Sequence, residues 1–167
     1  MVRSPGPVSG GITGIALIAG WHACALQNGG VKCWGRNQEG ELGNGTQVPS
    51  AIPLSVVNLP TNVTVVATGG GPTDRDASCA IADGAMQCWG AGLFGRLGNG
   101  SATGNSLIPV DVAGLPGRAL DAAIGYDHAC ALVEGGDVYC WGKGDKGQLG
   151  DGAGKNSLEP VRVIRPL

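Results

Sequence analysis

The chain of 167 residues is poor in aromatic and in charged residues. Aromatic residues make up 4% of it and charged residues 14%, where about a quarter of a typical domain is charged. The formal net charge is −2, so the chain lacks the broadly basic surface typical of proteins that bind nucleic acids. We therefore expect no nucleic-acid partner.

Long apolar runs are also missing. No segment reaches the ~18 consecutive apolar residues of a membrane span. The stretch GITGIALIAGWHACAL, residues 11–26, is too short in its apolar part for that role. It follows Met1 and Arg3, but Pro5, Gly6 and Pro7 lie where the n-region of a signal peptide would be. We read it as strand, and expect either a mature form or a piece cut from a longer precursor.

Sequence signals for catalysis and for cofactors are absent. There is no Gly-Lys-Ser/Thr phosphate loop and no Cys-x-x-Cys pair that would suggest zinc. Asp127-His128 is the only acid beside a histidine, and adjacent residues on a strand point to opposite faces. We therefore predict a protein that is not an enzyme and that has no catalytic residues, no cofactor and no metal.

Glycine is abundant. The chain has 32 glycines, against an average share of about 7%, and they do not recur at every third position as in collagen. With 43% hydrophobic residues in regular patterns, the chain is also unlike a disordered one. This composition predicts an all-β protein rich in turns.

The sequence consists of three copies of one unit. Each copy contains Cys-Trp-Gly, a leucine eight residues after the tryptophan, and a proline eleven or twelve residues later: Trp34, Leu42 and Pro53; Trp89, Leu97 and Pro109; Trp141, Leu149 and Pro160. The stretch GGGPTDRDAS, residues 69–78, adds length to the second copy and reads as an inserted surface loop. The recurring tryptophans are expected to pack between units, and Trp21 has no counterpart.

Each copy offers about four short strand candidates, in the first ITGIALIA, WHACALQ, GVKCWG and IPLSVV. Four short antiparallel strands repeated about every 50 residues indicate β-propeller blades. A β-sandwich is the alternative, but it does not predict identical units. The predicted fold is an all-β partial propeller arc of three blades. Its expected parts are a remnant of a preceding repeat at 1–11, then blades at 12–60, 61–116 and 117–167.

The six cysteines flank three tight turns. Across the Asn28-Gly29 turn, facing residues have numbers that sum to 57. The corresponding sums are 167 for the second turn and 270 for the third, and the cysteines match all three: Cys24 with Cys33, Cys79 with Cys88, and Cys130 with Cys140. Each pair falls on a non-hydrogen-bonded rung, where Cα atoms lie ~4.5 Å apart, within disulfide range.

These pairs predict three disulfides, each closing one hairpin. Buried free thiols are the alternative. Disulfides persist in oxidising compartments, so we expect a secreted or cell-surface protein.

The stretches HACALQNGGVKCWGRNQEGELGNGT and HACALVEGGDVYCWGKGDKGQLGDG resemble repeats of the regulator of chromosome condensation family, above all its bacterial, cysteine-bearing branch. The resemblance covers about residues 12–164. It implies propellers, typically of seven blades, used as rigid platforms for binding. Members of the family include a nucleotide exchange factor, a plant UV-B photoreceptor and a secreted β-lactamase inhibitor, so the fold alone does not choose a function.

The predicted function is a non-enzymatic scaffold that binds a protein partner or assembles with itself. Three blades leave two sheet faces uncovered, which predicts a homo-oligomer, either a closed dimer or an open-ended assembly. The alternatives are an accessory domain of a secreted hydrolase and a guanine nucleotide exchange-type regulator. The long loops are the other candidates for a binding surface: 36–51, 69–78, 91–107 and 143–158.

Overall fold

The computed structural model describes residues 10–17, 21–71, 75–102 and 104–164. These residues form three four-stranded antiparallel sheets, each with its strands in sequence order. The first blade contains β1 (Ile12–Leu17), β2 (His22–Gln27), β3 (Gly30–Gly35) and β4 (Ser50–Ser55). The second contains β5 (Val63–Gly69), β6 (Ala77–Ala82), β7 (Ala85–Gly90) and β8 (Ser106–Asp111), and the third contains β9 (Ala119–Ile124), β10 (His128–Val133), β11 (Val138–Gly142) and β12 (Ser157–Arg162).

The predicted all-β propeller-blade fold is therefore confirmed. The described residues contain one short helical segment, a 3₁₀ turn at Leu93–Gly95. The first strands of the blades are neighbours, since β5 contacts both β1 and β9. The expected remnant at 1–11 lies outside the described residues except for its last two positions.

Local sequence explains the hairpins. Asn28 and Gly29 have φ of 51° and 76°, and Asp83 and Gly84 have 50° and 82°. Two successive residues with positive φ make the type I′ turn, whose twist matches that of the flanking strands. In the third blade the longer turn is closed by a hydrogen bond from Val133 N–H to the Asp137 carbonyl, 2.9 Å.

The recurring prolines lie in the outermost strand of each sheet. Pro53, Pro109 and Pro160 fall in β4, β8 and β12, at the places where pairing with the third strand shifts in register. Proline lacks an amide hydrogen and is tolerated at edges and irregularities of a sheet. In all three blades, Cys-Trp-Gly followed by proline therefore marks the register shift between the third and fourth strands.

The core lies between the sheets. One apolar cluster joins the first and second blades and includes the Cys24–Cys33 pair, Leu42 and Trp89. A second joins the second and third blades and includes the Cys79–Cys88 pair and Trp141. Each sheet is thus covered by its neighbour in the chain.

The insertion at 69–78 differs from the expectation of a surface loop. β5 extends through Gly69 and β6 begins at Ala77. Asp76 and Ser78 are fully buried against the first blade. These two polar side chains are buried because both are hydrogen-bonded by a histidine from the preceding blade.

Candidate functional site

Every blade has two different faces. We call the side that packs on the preceding blade the leading face, and the side that packs on the following blade the trailing face. The two apolar clusters show that tryptophans lie on leading faces and cysteine pairs on trailing faces. Two faces have no neighbour within the described residues: the leading face of the first blade (Ile15, Leu17, Trp21, Ala23 and Trp34) and the trailing face of the third (Ala123, His128, Cys130, Leu132 and Val138).

The cysteines are paired as the hairpin register requires. Cys24 lies opposite Cys33, Cys79 opposite Cys88, and Cys130 opposite Cys140, with Cα–Cα distances of 4.1, 4.0 and 4.0 Å. All three pairs are disulfides in the structure. The first two are sealed by the next blade, whereas Cys130 on the open trailing face is only half-buried.

Each internal tryptophan is fixed by one hydrogen bond to the preceding blade. The indole N–H of Trp89 donates to the Glu41 carbonyl, and that of Trp141 donates to the Arg96 carbonyl, both at 2.8 Å. Both rings are completely buried. A Cβ at Gly98, which has φ of +69°, would lie 2.6 Å from Trp141 Nε1, so the Leu-Gly element is glycine because the next tryptophan packs directly on its backbone.

A polar network joins the first two blades. His22 Nε2 lies 2.8 Å from Ser78 Oγ, and His22 Nδ1 lies 3.3 Å from Asp76 Oδ2. Asp76 Oδ2 also accepts a hydrogen bond from the Trp21 amide at 2.9 Å, and Ser78 Oγ lies 3.2 Å from the Glu41 carbonyl. Burial raises the pKa of Asp76, but the hydrogen bonds from His22 and from the Trp21 amide outweigh it and leave the pKa below its ordinary value.

Serine, histidine and aspartate in this order have the connectivity of a hydrolase triad, which the sequence analysis did not anticipate. A nucleophilic serine must reach its substrate. Ser78 and Asp76 are fully buried and His22 is 5% exposed, because the network lies in the interface between two blades. In this arrangement the three side chains connect blades, and they have no access to a substrate.

The interface between the second and third blades has no histidine at the position that corresponds to His22. Ala77 occupies the place of His22, and Ala129 occupies the place of Ser78. Arg96 is buried here and donates to the Ala91 carbonyl from Nε at 3.1 Å and from Nη2 at 3.0 Å, while Nη1 donates to the Tyr126 carbonyl. Burial lowers the pKa of Arg96 to about 10 despite nearby Asp127, so it stays protonated at neutral pH.

His22 and His128 form a matched pair for mutation. His22→Ala should destabilise the chain by about 2 kcal/mol, since it leaves Asp76 and Ser78 buried without their partner. His128→Ala changes the same residue type at the same register position on the open face, and should cost within about 0.5 kcal/mol. Urea unfolding of both variants measures the difference.

The low pKa of Asp76 gives this comparison a pH dependence. A carboxyl group with a lowered folded-state pKa stabilises the fold above its ordinary pKa, and the effect is lost as the pH falls through the folded value. The His22→Ala penalty should therefore shrink in acid. Equal penalties for the two histidines would contradict the interface role of His22.

The two open faces expose side chains that are buried in the internal interfaces. On the trailing side, Leu132 and Val138 are each 37% exposed, while their counterparts Ile81 and Met86 are 1% and 3% exposed. Together with Ala123 and Cys130 they line a shallow groove. On the leading side, Leu17 is 64% exposed, while its counterpart Thr68 is 5% exposed.

The aromatic residues of the leading face differ from the internal ones in the same way. Trp34 is only half-buried, and no carbonyl among the described residues accepts from its indole N–H. Trp21 is 64% exposed and stands where the second and third blades carry Asp76 and Asp127. The recurring tryptophans are expected to pack between blades. Trp89 and Trp141 do so, whereas no blade among the described residues packs on Trp34.

The loops between third and fourth strands are largely self-contained. In the loop at 36–51, Asn37 is fully buried, accepts from the Leu42 amide at 2.9 Å, and donates from Nδ2 to the Thr46 and Val48 carbonyls. Glu41 is also fully buried, and burial raises the pKa of its carboxyl group. Much of this predicted binding loop therefore has a structural role.

Among the described residues, no three metal-binding side chains form a group that could hold an ion. The same residues contain no helix with the length and apolarity needed to cross a membrane.

Comparison with known proteins identifies the repeat. The profile of the regulator of chromosome condensation (RCC1) repeat matches residues 28–73, 83–132 and 135–167, and a second profile of this repeat matches 121–148. The chain belongs to the RCC1-repeat family.

Two curated relatives show how much of a larger protein the chain spans. It is 33% identical over 145 residues to the ultraviolet-B receptor UVR8 of Arabidopsis thaliana, covering 85% of this chain and 32% of that protein. It is 31% identical over 153 residues to the human E3 ubiquitin-protein ligase HERC2, covering 87% of this chain and 3% of that protein. The chain thus spans a third or less of these relatives.

Solved structures show the same fold. Yeast RCC1 (Prp20), solved bound to Kap60, superposes with a TM-score of 0.76 at 20% identity, covering 93% of this chain and 37% of that one. Human WBSCR16 superposes with a TM-score of 0.75 at 22% identity, covering 92% and 38%. These likenesses establish the blade architecture.

Proposed function

We propose that this chain is a non-enzymatic propeller-repeat module that works as a protein-binding scaffold. It binds through the leading face of its first blade and the trailing face of its third. The single observation that supports this most is the contrast in exposure at matched positions. Ile81 is 1% exposed between blades, whereas Leu132, at the same register position, is 37% exposed on the open trailing face.

The hydrophobic effect is the physical reason why these exposed sheet faces would bind a partner. An apolar sheet face removed from water stabilises a complex by roughly 25 cal/mol per Å² of buried area. Monomeric proteins seldom expose contiguous apolar patches beyond a few hundred Å². Leu132, Val138, Ala123 and the half-buried Cys130 line one mostly apolar groove, with Asp121 as its charged residue. On the leading face Ile15 and Leu17 are each 64% exposed.

The leading and trailing faces have different side chains, so contact between two copies is heterologous. Such a contact closes into a ring if the rotation permits, and otherwise propagates. Two copies would supply six blades. The proposed assembly is a closed dimer, with an open-ended polymer as the other geometric outcome.

We also propose an extracellular or cell-surface location. The three hairpin disulfides support it, because such bonds persist in oxidising compartments. An exchange-factor function gains no support from the likeness to yeast RCC1, which at 20% identity concerns the fold alone.

Sedimentation velocity on the 167-residue chain tests the scaffold proposal. We expect concentration-dependent association that Leu132→Asp weakens at least about tenfold, since a charge would be buried in the contact. Val48→Asp is the matched control, because Val48 is 68% exposed and lies in the loop between β3 and β4 instead of in a strand of either face. A monomer at every concentration, or equal effects of the two substitutions, would contradict the proposal.

A further inference from the structure

The two internal interfaces follow one rule of pairing at a single register position. Where the trailing face carries His22, the opposing leading face supplies Ser78 and Asp76, which lie 2.8 and 3.3 Å from the two imidazole nitrogens. Where the trailing face carries Ala77, the opposing leading face supplies Ala129 in the same apolar cluster. Histidine thus meets a hydroxyl and a carboxylate, whereas alanine meets alanine, and the aspartate of that blade, Asp127, lies 4.0 Å from Lys143 Nζ instead.

The open trailing face carries histidine at this position. His128 pairs with Gly142 in the β10–β11 register, as His22 pairs with Gly35. Its ring lies against Gly125 and is half-buried. Among the described residues, no side chain binds the nitrogens of His128 in the way that Ser78 and Asp76 bind those of His22. A docked blade would cover the imidazole, and its nitrogens would then need new partners.

The chain's own leading face does not provide those partners. The position of Ser78 is held by Ala23, and the position of Asp76 is held by Trp21. Alanine has no side-chain hydrogen-bonding group and the indole has only a donor, so these two side chains offer no acceptor for an imidazole N–H. A second copy of this chain would therefore bury His128 against an alanine and a tryptophan.

We propose that the trailing face of the third blade binds a different RCC1-type blade more tightly than it binds a second copy of this chain. The preferred blade has Asp-x-Ser in its second strand, immediately before the position of the cysteine. The serine and aspartate bind His128, and a tryptophan of that blade donates to the Gln148 carbonyl, as Trp89 donates to Glu41. This inference rests on the proposed function. It adds that His128 selects the partner, and that a second copy of this chain is the poorer match.

The chemistry of burial gives this pairing its selectivity. A buried imidazole without partners has a substantial desolvation cost, whereas a hydrogen bond to a charged group is among the stronger ones in proteins. Specificity of this kind arises as much from the penalty for the wrong partner as from the attraction of the right one. Matched and mismatched blades should differ in affinity by about tenfold or more.

The chain itself can be converted into the matched partner. The double substitution Trp21→Asp and Ala23→Ser places Asp-x-Ser on the leading face, at positions that are exposed and half-buried respectively. Sedimentation velocity should show self-association about tenfold tighter than that of the parent chain. Ala23→Ser alone should show part of this gain, and it keeps the test valid if the aspartate disturbs folding.

His128→Ala is the decisive third substitution. Added to the double variant it should return the affinity to within about threefold of the parent. Added to the parent it should strengthen self-association, because it removes an imidazole that a second copy buries without matching partners. Protection of Cys130 from reduction and alkylation in the associated state reports that the trailing face is the one covered.

The outcomes separate the two proposals. A gain that survives His128→Ala, or no gain from either leading-face variant while the parent associates, would overturn the specificity of His128 and leave the scaffold proposal standing. No association of any variant, with Cys130 equally reactive throughout, would overturn both.

Discussion

Reduction of all three disulfides is expected to unfold the chain at room temperature. The bonded cysteines are 9, 9 and 10 residues apart, and each closed loop of this size stabilises the fold by about 2.5 to 3 kcal/mol in the chain-entropy model. The loops are local and separate, so their contributions add. The sum, about 8 kcal/mol, is similar to the whole stability of an ordinary domain.

The bonds should be reduced in a definite order. A reductant must reach a sulfur atom, and Cys24, Cys33, Cys79 and Cys88 are at most 1% exposed, whereas Cys130 is half-buried on the open trailing face. Alkylation and peptide mapping during a titration with reductant should therefore label the third pair first. Circular dichroism should show the loss of structure only when the internal pairs follow.

The double variant Cys130→Ala and Cys140→Ala is the control for this prediction, because it removes one bond and should leave the chain folded. Mapping without reductant must first recover the three local pairs. A chain that keeps its native spectrum after complete reduction and alkylation would show that the disulfides are dispensable. Linkage between different blades would contradict the hairpin register.

The blade architecture and the cysteine pairing were predictable because both depend on local chain geometry. A two-residue turn such as Asn28-Gly29 fixes the register of its hairpin, and the register decides which cysteines face each other. The repeated proline marks the same irregular outer strand in every blade. The same local geometry recurs in all three copies of the unit, so each copy supports the interpretation of the other two.

The network of His22, Ser78 and Asp76 could not be predicted in the same way. Its partners are 54 and 56 residues apart, and Asp76 lies in the inserted segment that reads as surface loop. One signal was present in the sequence: Ser78 stands where both other copies have alanine, Ala23 and Ala129. A departure from the repeat that is polar and lies inside a strand indicates a contact with another unit.

The loop at 36–51 shows a second limit. Asn37 is buried and satisfies the Leu42 amide together with the Thr46 and Val48 carbonyls. The other two blades have Gly92 and Gly144 at this position, and there an asparagine from the far end of the loop accepts from the glycine amide: Asn105 at 3.3 Å and Asn156 at 3.0 Å. Length and composition alone do not distinguish such internal networks from binding loops.

Replacement of an internal tryptophan should be far more costly than replacement of the matching tryptophan on the open face. Trp89→Ala should destabilise the chain by about 4 kcal/mol, because it leaves a large cavity between the first two blades. It also leaves the Glu41 carbonyl without the indole hydrogen bond of 2.8 Å. Urea unfolding followed by circular dichroism measures the loss.

Trp34→Ala is the matched control, since it removes the same side chain from the same Cys-Trp-Gly motif. Trp34 is half-buried, whereas Trp89 is fully buried, so in the isolated chain its loss should cost about 1 kcal/mol. The proposed assembly would cover the leading face, so Trp34→Ala should weaken association while Trp89→Ala acts on folding. Equal losses of folding stability from the two substitutions would show that Trp34 already has its neighbour within the single chain, and the leading face would then not be open for binding.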